Sequence, residues 1–368
     1  MILICLLFVL LSVSVYATDT SAKAAIVING ITGEVIYEHN ANERLPMAST
    51  TKIMTALILA EQEDLSKEIS CTKEMVTVEG SSMGLLVGDR VTYHDLLYGM
   101  LLASGNDAAN TTAISIGGSV QKFADIMNEK AKELNLNNTH FVTPSGLDAE
   151  GHFTTAHDLA LLAAYALKNE EFKKAASSYT ARLCYGNPPY QRTLTNHNKL
   201  LKSYNGLVGV KTGFTKKSGR CLVTAAERDG TQIVVVTLND KNDWQDHKNL
   251  LDLGFACIEK TTHNFEGVDY LNILSGNKER IKLACDSFDT YVKPENASKI
   301  SYKINLPEYY FAPVDCGKTV GYVDVYFEDK IIKKIDITSA EDVQLLENPK
   351  ETFFDKVLKV FIKIMINV

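Results

Sequence analysis

The 368-residue sequence predicts an α+β protein with a mixed first domain, a small all-β domain and a C-terminal amphipathic helix. Three observations carry this reading. Strand-like segments stand near both ends of the first 260 residues, with helical periodicity between them. After about Lys260 the pattern changes to alternating strands separated by turn residues. The last residues place lysines at helical spacing in a run of Phe, Val, Leu and Ile. The expected boundaries are a signal peptide over 1–17, a mixed domain over 18–260, a β domain over 261–349 and a terminal helix over 350–368.

In chain order, Ile2 to Val15 is almost wholly apolar, and Val15-Tyr16-Ala17 has the small-x-small form of a cleavage site. No Lys or Arg lies near Met1, so the terminal amine supplies the positive charge. The run falls short of the roughly 20 residues that span a bilayer, which favours a cleaved signal over a retained anchor. Ala24 to Asn29 and Glu34 to His39 read as strands of a hairpin around Asn29-Gly30-Ile31-Thr32-Gly33. Ala48 to Ala60 reads as a buried helix. His94 to Leu102, Val120 to Leu134 and Thr155 to Leu167 carry apolar residues at helical spacing, and Val87 to Val91 reads as a short strand. Strand character returns in Val208 to Lys211, Arg220 to Ala226 and Gln232 to Leu238, the last two joined by Asp229-Gly230. Asp243 to Ile258 reads as a closing helix and carries the only tryptophan, Trp244. The strands of both ends are expected to form one sheet, with Lys211 on an edge strand near the helix that begins at Ala48.

The β domain shows turns at Ser275-Gly276-Asn277, Cys316-Gly317 and Glu328-Asp329. Beyond it, Lys356, Lys359 and Lys363 fall on one narrow face of an otherwise apolar helix. Such a helix lies in a membrane interface, its lysines toward anionic headgroups. The net charge of −7 argues against a nucleic-acid partner, because nothing offers a basic face to neutralise phosphates. Seven cysteines include no C-x-x-C, and the six beyond Cys5 could pair or stay thiols. Eight histidines show no ligand spacing, so neither a metal nor another cofactor is expected.

The chemistry starts at Ser49-Thr50-Thr51-Lys52. Residues three apart share a helix face, so the amine of Lys52 lies close to the Ser49 hydroxyl. A serine hydroxyl is a poor nucleophile until a neighbour takes its proton, and lysine can do so only as the neutral amine. Burial against Ile53, Met54 and Leu57, with the positive end of the helix dipole, lowers its pKa. The motif alone is weak, since S-x-x-K recurs at Ser70 to Lys73, Ser119 to Lys122 and Ser275 to Lys278. Its company separates it: Ser104-Gly105-Asn106 in a loop after a helical run, then Lys211-Thr212-Gly213 at the end of a strand. Taken singly, Ser104 could cap a helix and Lys211 could be a solvated strand-end lysine.

The order S-x-x-K, S-x-N, K-T-G resembles the penicillin-binding and serine β-lactamase superfamily. Within it the whole chain resembles a low-molecular-mass penicillin-binding protein of the D-alanyl-D-alanine carboxypeptidase family. That resemblance also rests on Lys211-Thr212-Gly213-Phe214-Thr215, Thr139-His140-Phe141, Gly146-Leu147-Asp148 and Ala156-His157-Asp158-Leu159. It implies a helical region packed on a five-stranded antiparallel sheet with the site between them, in an exported protein at the outer face of the cytoplasmic membrane. It implies that Ser49 attacks the penultimate D-Ala carbonyl, Lys52 accepts its proton and Ser104 relays a proton to the leaving amine. It implies further that Asn106 holds the substrate amide, Lys211 and Thr212 bind the terminal carboxylate, and Gly213 admits the ligand close to the strand. The N–H groups of Ser49 and Phe214 are implied as the oxyanion hole. Peptidoglycan stem peptides are the implied substrate and β-lactam antibiotics the implied acylating inhibitors. The alternatives are a serine β-lactamase, for which Glu133-Leu134-Asn135-Leu136-Asn137 supplies an E-x-x-L-N string, a DD-endopeptidase of the same superfamily, and a cell-wall binder that keeps only the fold.

Overall fold

The computed structural model describes residues 20–346, so the signal peptide and the terminal helix expected from the sequence lie outside it. The chain divides into two units after Ile258. The first begins with the hairpin β1 (Ala24–Asn29) and β2 (Val35–His39), followed by a 3-10 turn (Ala48–Thr51) running into α1 (Lys52–Ala60). Next come β3 (Glu68–Ser70), α2 (Lys73–Val76), β4 (Arg90–Thr92), α3 (Tyr93–Leu101), α4 (Asn106–Gly117) and α5 (Val120–Glu133). Then follow α6 (Ala156–Ala166), α7 (Glu170–Ser177) and the hairpin β5 (Thr180–Gly186) and β6 (Pro189–Thr195). The unit closes with β7 (Leu207–Thr215), β8 (Gly219–Arg228), β9 (Thr231–Leu238) and α8 (Asp243–Ala256).

Strands from both ends meet in one five-stranded sheet in the order β2-β1-β9-β8-β7, every pair antiparallel. The near-continuous apolar text of β1 and β9 follows from burial on both faces. Alternation sends Ile26, Ile28, Val234 and Val236 into the large core under the helices. It sends Ala25, Val27, Ile233 and Val235 toward Leu250 and Leu251 of α8. Gly254 lets α8 settle there, because a Cβ on it would come 2.5 Å from a methyl of Ile233. The β8–β9 turn places Asp229 and Gly230 at positive φ, as a two-residue hairpin loop requires. All nine residues of α1 are buried, so this helix is wrapped by the others rather than laid on a surface.

One local expectation is corrected. The segment 87–91 is not a strand over its length: Leu86 and Val87 are exposed, and pairing with β3 begins only at Arg90. Gly84 and Gly88 at positive φ fold this segment into a turn, closed by the Gly88 N–H on the Cys71 carbonyl. The hairpin β5–β6 did not emerge from the sequence, because its polar residues alternate without a clear apolar face. The six described cysteines are free thiols.

The second unit pairs β10 (Glu259–His263) with β13 (Phe288–Val292). Its main sheet contains β11 (Tyr270–Leu274), β12 (Arg280–Cys285), β14 (Ile300–Asn305), β15 (Tyr309–Phe311), β16 (Thr319–Phe327) and β17 (Lys330–Ser339). Their order is β14-β16-β17-β12-β11-β15. The turns expected at Ser275-Gly276-Asn277 and Glu328-Asp329 join β11 to β12 and β16 to β17.

In the first unit His247 sits fully buried between α8 and the sheet, its nitrogens 2.7 Å from Thr224 Oγ1 and 2.9 Å from Thr237 Oγ1. Burial lowers its pKa from 6.5 to about 3, and that of His152 from 6.5 to about 4. Both folded values lie below the unfolded one, so the unfolded chain takes up protons first as pH falls. The stability from these neutral rings is complete above about 6.5 and is lost on acidification toward about 4 for His152 and about 3 for His247. The urea midpoint is therefore expected to fall steadily over that window, and a flat midpoint would contradict the assignment.

Candidate active site

Ala48 is held at φ 48°, and its left-handed turn presents Ser49 half-buried at the edge of a cleft. The turn is tied from behind. Thr51 Oγ1 donates to the Ala48 carbonyl at 2.8 Å and accepts from His152 Nε2 at 2.8 Å. His152 Nδ1 accepts the N–H of Val142 at 2.9 Å, which fixes a neutral ring protonated at Nε2. Gly146 packs against the same turn, where a Cβ would come within van der Waals radius of the Ala48 carbonyl oxygen.

Ser49 lies in the 3-10 turn and Lys52 opens α1, so the pair shares a face as the spacing required. Lys52 Nζ is 3.1 Å from Ser49 Oγ, 2.6 Å from Asn106 Oδ1 and 2.7 Å from the Ser145 carbonyl. Two of these partners only accept. A neutral amine has two N–H bonds and one lone pair, so it can donate to both carbonyl oxygens and still accept the Ser49 proton. Its pKa is pushed well below the usual lysine value by burial first and by the charge of Lys211 second, with Asp107 opposing.

Asn106 begins α4 rather than standing free in a loop. Its carboxamide is committed at both ends, Oδ1 to Lys52 and Nδ2 to the Glu79 carbonyl at 2.6 Å. Ser104, at φ 57°, turns its hydroxyl 3.0 Å from Lys211 Nζ and does not cap α4. Lys211 is on the sheet's edge strand β7, where it is 1% exposed, and burial lowers its pKa to about 7. It donates also to the Thr212 carbonyl at 2.9 Å, and the protonated form keeps a third N–H. The edge of β7 runs directly past the nucleophile, since a Cβ on Gly213 would lie 3.0 Å from Ser49 N and 3.1 Å from Thr50 N. Thr212 and Gly213 line the cleft, and Phe214 is a 67%-exposed side chain at its rim rather than a core aromatic.

The cleft, of about 250 Å³, thus brings Ser49, Ser104, Thr212, Gly213 and Phe214 together. Lys52, Asn106 and Lys211 stand behind that surface, bonded to its members. The sequence reading missed other wall residues. Arg220 lies on the same wall, its guanidinium 2.7 Å from Asp243 Oδ1 and 5.7 Å from the centre of the Trp244 ring. His197 and Ser81 complete the lining. Asp107 is also new: its buried carboxylate accepts from the N–H groups of Met83 (2.9 Å), Gly84 (3.0 Å) and Leu85 (2.9 Å) and the Ser82 hydroxyl (2.6 Å). It thereby fixes the segment whose Ser81 carbonyl receives the Asn106 N–H. Glu133, the residue of the lactamase string, ends α5 as an exposed partner of Lys130 and is not part of the cleft wall.

Comparison with known proteins agrees over both units. The model of the D-alanyl-D-alanine carboxypeptidase peptidase family matches residues 12–242, and that of the penicillin-binding protein 5 C-terminal domain matches 263–345. The D-alanyl-D-alanine carboxypeptidase DacF of Bacillus subtilis is 31% identical over 335 residues, covering 88% of this chain and 86% of the relative. DacC of Escherichia coli is 32% identical over 353 residues, covering 90% and 86%. Among solved structures, the D-alanyl-D-alanine carboxypeptidase DacD of Francisella tularensis superposes with a TM-score of 0.63 at 26% identity, over 89% of this chain and 95% of that one.

Asp107→Asn would turn an NH₂ group toward donors in the 82–85 segment. Stability is expected to fall by about 1–3 kcal/mol, the cost of leaving buried donors unmet. Catalysis should fall about tenfold or more through displacement of Asn106 and Ser81, a size set by how steeply rate depends on positioning. Steady-state kinetics below the variant's unfolding temperature checks this, and unchanged kcat and KM would refute it.

Proposed function

The chain belongs to the D-alanyl-D-alanine carboxypeptidase family of serine peptidases, and from that membership we propose how its own residues carry the reaction. Ser49 Oγ gives its proton to neutral Lys52 and attacks the carbonyl carbon of the penultimate D-Ala in a peptidoglycan stem peptide. The oxyanion is held by the N–H groups of Ser49 and Phe214, an arrangement in which losing one donor costs about 3 kcal/mol in the transition state. The tetrahedral adduct collapses by breaking the C–N bond, and the leaving amine takes a proton delivered through Ser104. D-Ala departs, water hydrolyses the ester, and Ser49 recovers its proton. The observation that carries this reading is the three-way environment of Lys52 Nζ, two fixed carbonyl acceptors and one hydroxyl, which suits the unprotonated amine.

The terminal carboxylate of the substrate is read by Lys211, through its remaining N–H, and by the Thr212 hydroxyl. Asn106 holds Lys52 in place through Oδ1 and keeps one N–H of its amide to offer the substrate. β-Lactams acylate Ser49 by ring opening. The amine they release stays tethered in the site, which delays deacylation. The chain acts at the outer face of the cytoplasmic membrane, exported by its signal peptide and attached through the basic amphipathic segment 353–366.

A peptide ending in D-Ala-D-Ala is expected to release free D-Ala with the unaltered protein. With Ser49→Ala, kcat should fall by about three orders of magnitude or more, as for other serine nucleophiles. Fluorescent penicillin should label the first and not the second, and equal labelling of both would overturn the assignment of Ser49.

The pH profile tests the two lysines. Above about 7 Lys211 loses the charge that attracts the carboxylate, whereas burial and the charge of Lys211 favour the neutral amine of Lys52. The value of kcat/KM, which reports the free enzyme, should therefore decline above about 7 through a rising KM. In the complex the bound carboxylate keeps Lys211 protonated, so kcat should hold over the same range. A decline carried by kcat alone would contradict these roles.

A further inference from the structure

The β unit turns an apolar face outward where a chain of its size would normally bury one. On β11, Leu271 and Ile273 point into the core, while Tyr270 and Leu274 point out, 58% and 40% exposed. The parallel edge strand β15 pairs Tyr309 with Asn272 and Phe311 with Leu274, so both aromatic side chains extend the same outer face. On the other side β12 pairs Lys282 with Tyr270 and Arg280 with Asn272, adding two exposed cations to it. The outward positions of these three strands include no carboxylate, in a chain whose net charge is −7. The nearby Glu341 carboxylate is occupied by Lys278 and the Lys282 N–H.

The described chain ends at this face. Leu346 donates its N–H to the Ser275 carbonyl, just beyond β11, and both Leu345 and Leu346 are more than half exposed. The basic amphipathic segment starts at Phe353, at most about 25 Å of extended chain from Leu346. We propose that the outer face of β15, β11 and β12 docks on an anionic lipid surface, as a second contact beside the terminal segment. This rests on the membrane reading given above. Tyr and Phe side chains flanked by Arg and Lys match the headgroup layer, which holds amphipathic rings and attracts cations. Two linked contacts bind far more tightly than either alone, because the second forms at high effective concentration.

The test uses the full chain and vesicles of phosphatidylglycerol and phosphatidylcholine in equal parts, with bound protein measured by sedimentation. Leu274→Ser combined with Phe311→Ser should weaken binding by about tenfold, from the apolar area withdrawn, while D-Ala release from a soluble peptide stays unchanged. In a second measurement, lipids brominated near the headgroup should quench the emission added by Phe311→Trp. Binding that the double variant leaves intact, or added emission that escapes quenching, would remove this face from the membrane. Without vesicles, a blue-shifted Phe311→Trp emission that reverts when 353–368 is deleted would show the chain's own terminal segment covering the face, and would equally overturn the proposal. If the unaltered chain binds no vesicles at all, the terminal segment is not an anchor, and the membrane reading itself falls with this one.

Discussion

Withdrawal of one amine from water is the constraint on which the site depends. Lys52 opens a helix whose residues are all buried, and its own side chain is fully withdrawn from solvent. A buried ammonium is disfavoured by its lost hydration, and each unit of pKa depression corresponds to about 1.4 kcal/mol. That cost is attached to the protonated form alone, so the fold drives the lysine toward the state in which it can act as a base. The acceptors Asn106 Oδ1 and Ser145 O then fix where its two hydrogens point. They come from separate parts of the chain, and the direction of the lone pair is accordingly a property of the tertiary fold.

A second buried lysine makes the first more effective. Lys211 stands on the opposite wall, and its positive charge lowers the pKa of Lys52 further. Only one of the two can conveniently be charged, and the arrangement decides which. Lys52 has carbonyl oxygens and a hydroxyl whose proton it can accept, whereas protonated Lys211 stands behind the cleft-lining Ser104 with a third N–H beyond its bonds to Ser104 and the Thr212 carbonyl. An incoming carboxylate would stabilise the charge on Lys211, and it is that positive charge which lowers the pKa of Lys52. Placing Lys211 on an edge strand serves this division, because β7 has one side free of sheet partners and its backbone at Gly213 lies directly against the Ser49 turn.

What the sequence revealed followed from periodicity and spacing. The hairpins at Asn29 to Gly33 and at Asp229-Gly230, the sheet assembled from both ends and the three motifs were all legible, because each rests on local geometry or on residue types with few other uses. Asp107, His152 and Arg220 were not. Asp107 binds backbone N–H groups more than twenty residues earlier in the chain, and His152 reaches a threonine about a hundred residues away. Neither leaves a periodic trace. The segment 87–91 misled for a related reason: Val87 and Val91 suggest a strand, but the left-handed glycines at 84 and 88 decide the backbone path first. Asn106 was found by its motif, yet its commitment to Lys52 could be seen only in three dimensions.

Two non-glycine residues in left-handed conformation flank the cleft, Ala48 before the nucleophile and Ser104 before α4. Each such residue costs roughly 1–3 kcal/mol and persists only where its surroundings leave no alternative. The surroundings here are unusually committed. Thr51 and His152 hold the Ala48 carbonyl, and Gly146 fits beneath it with no room for a side chain. On the other wall Asp107 accepts from four groups of the 82–85 segment, while the Ser81 carbonyl takes the Asn106 N–H. Thr51, His152, Gly146 and Asp107 are not part of the cleft lining. They act by denying both turns the relaxed backbone that would swing Ser49 and Ser104 out of the cleft. The strain and its supports belong together, and removing a support should release the turn before it unfolds the domain.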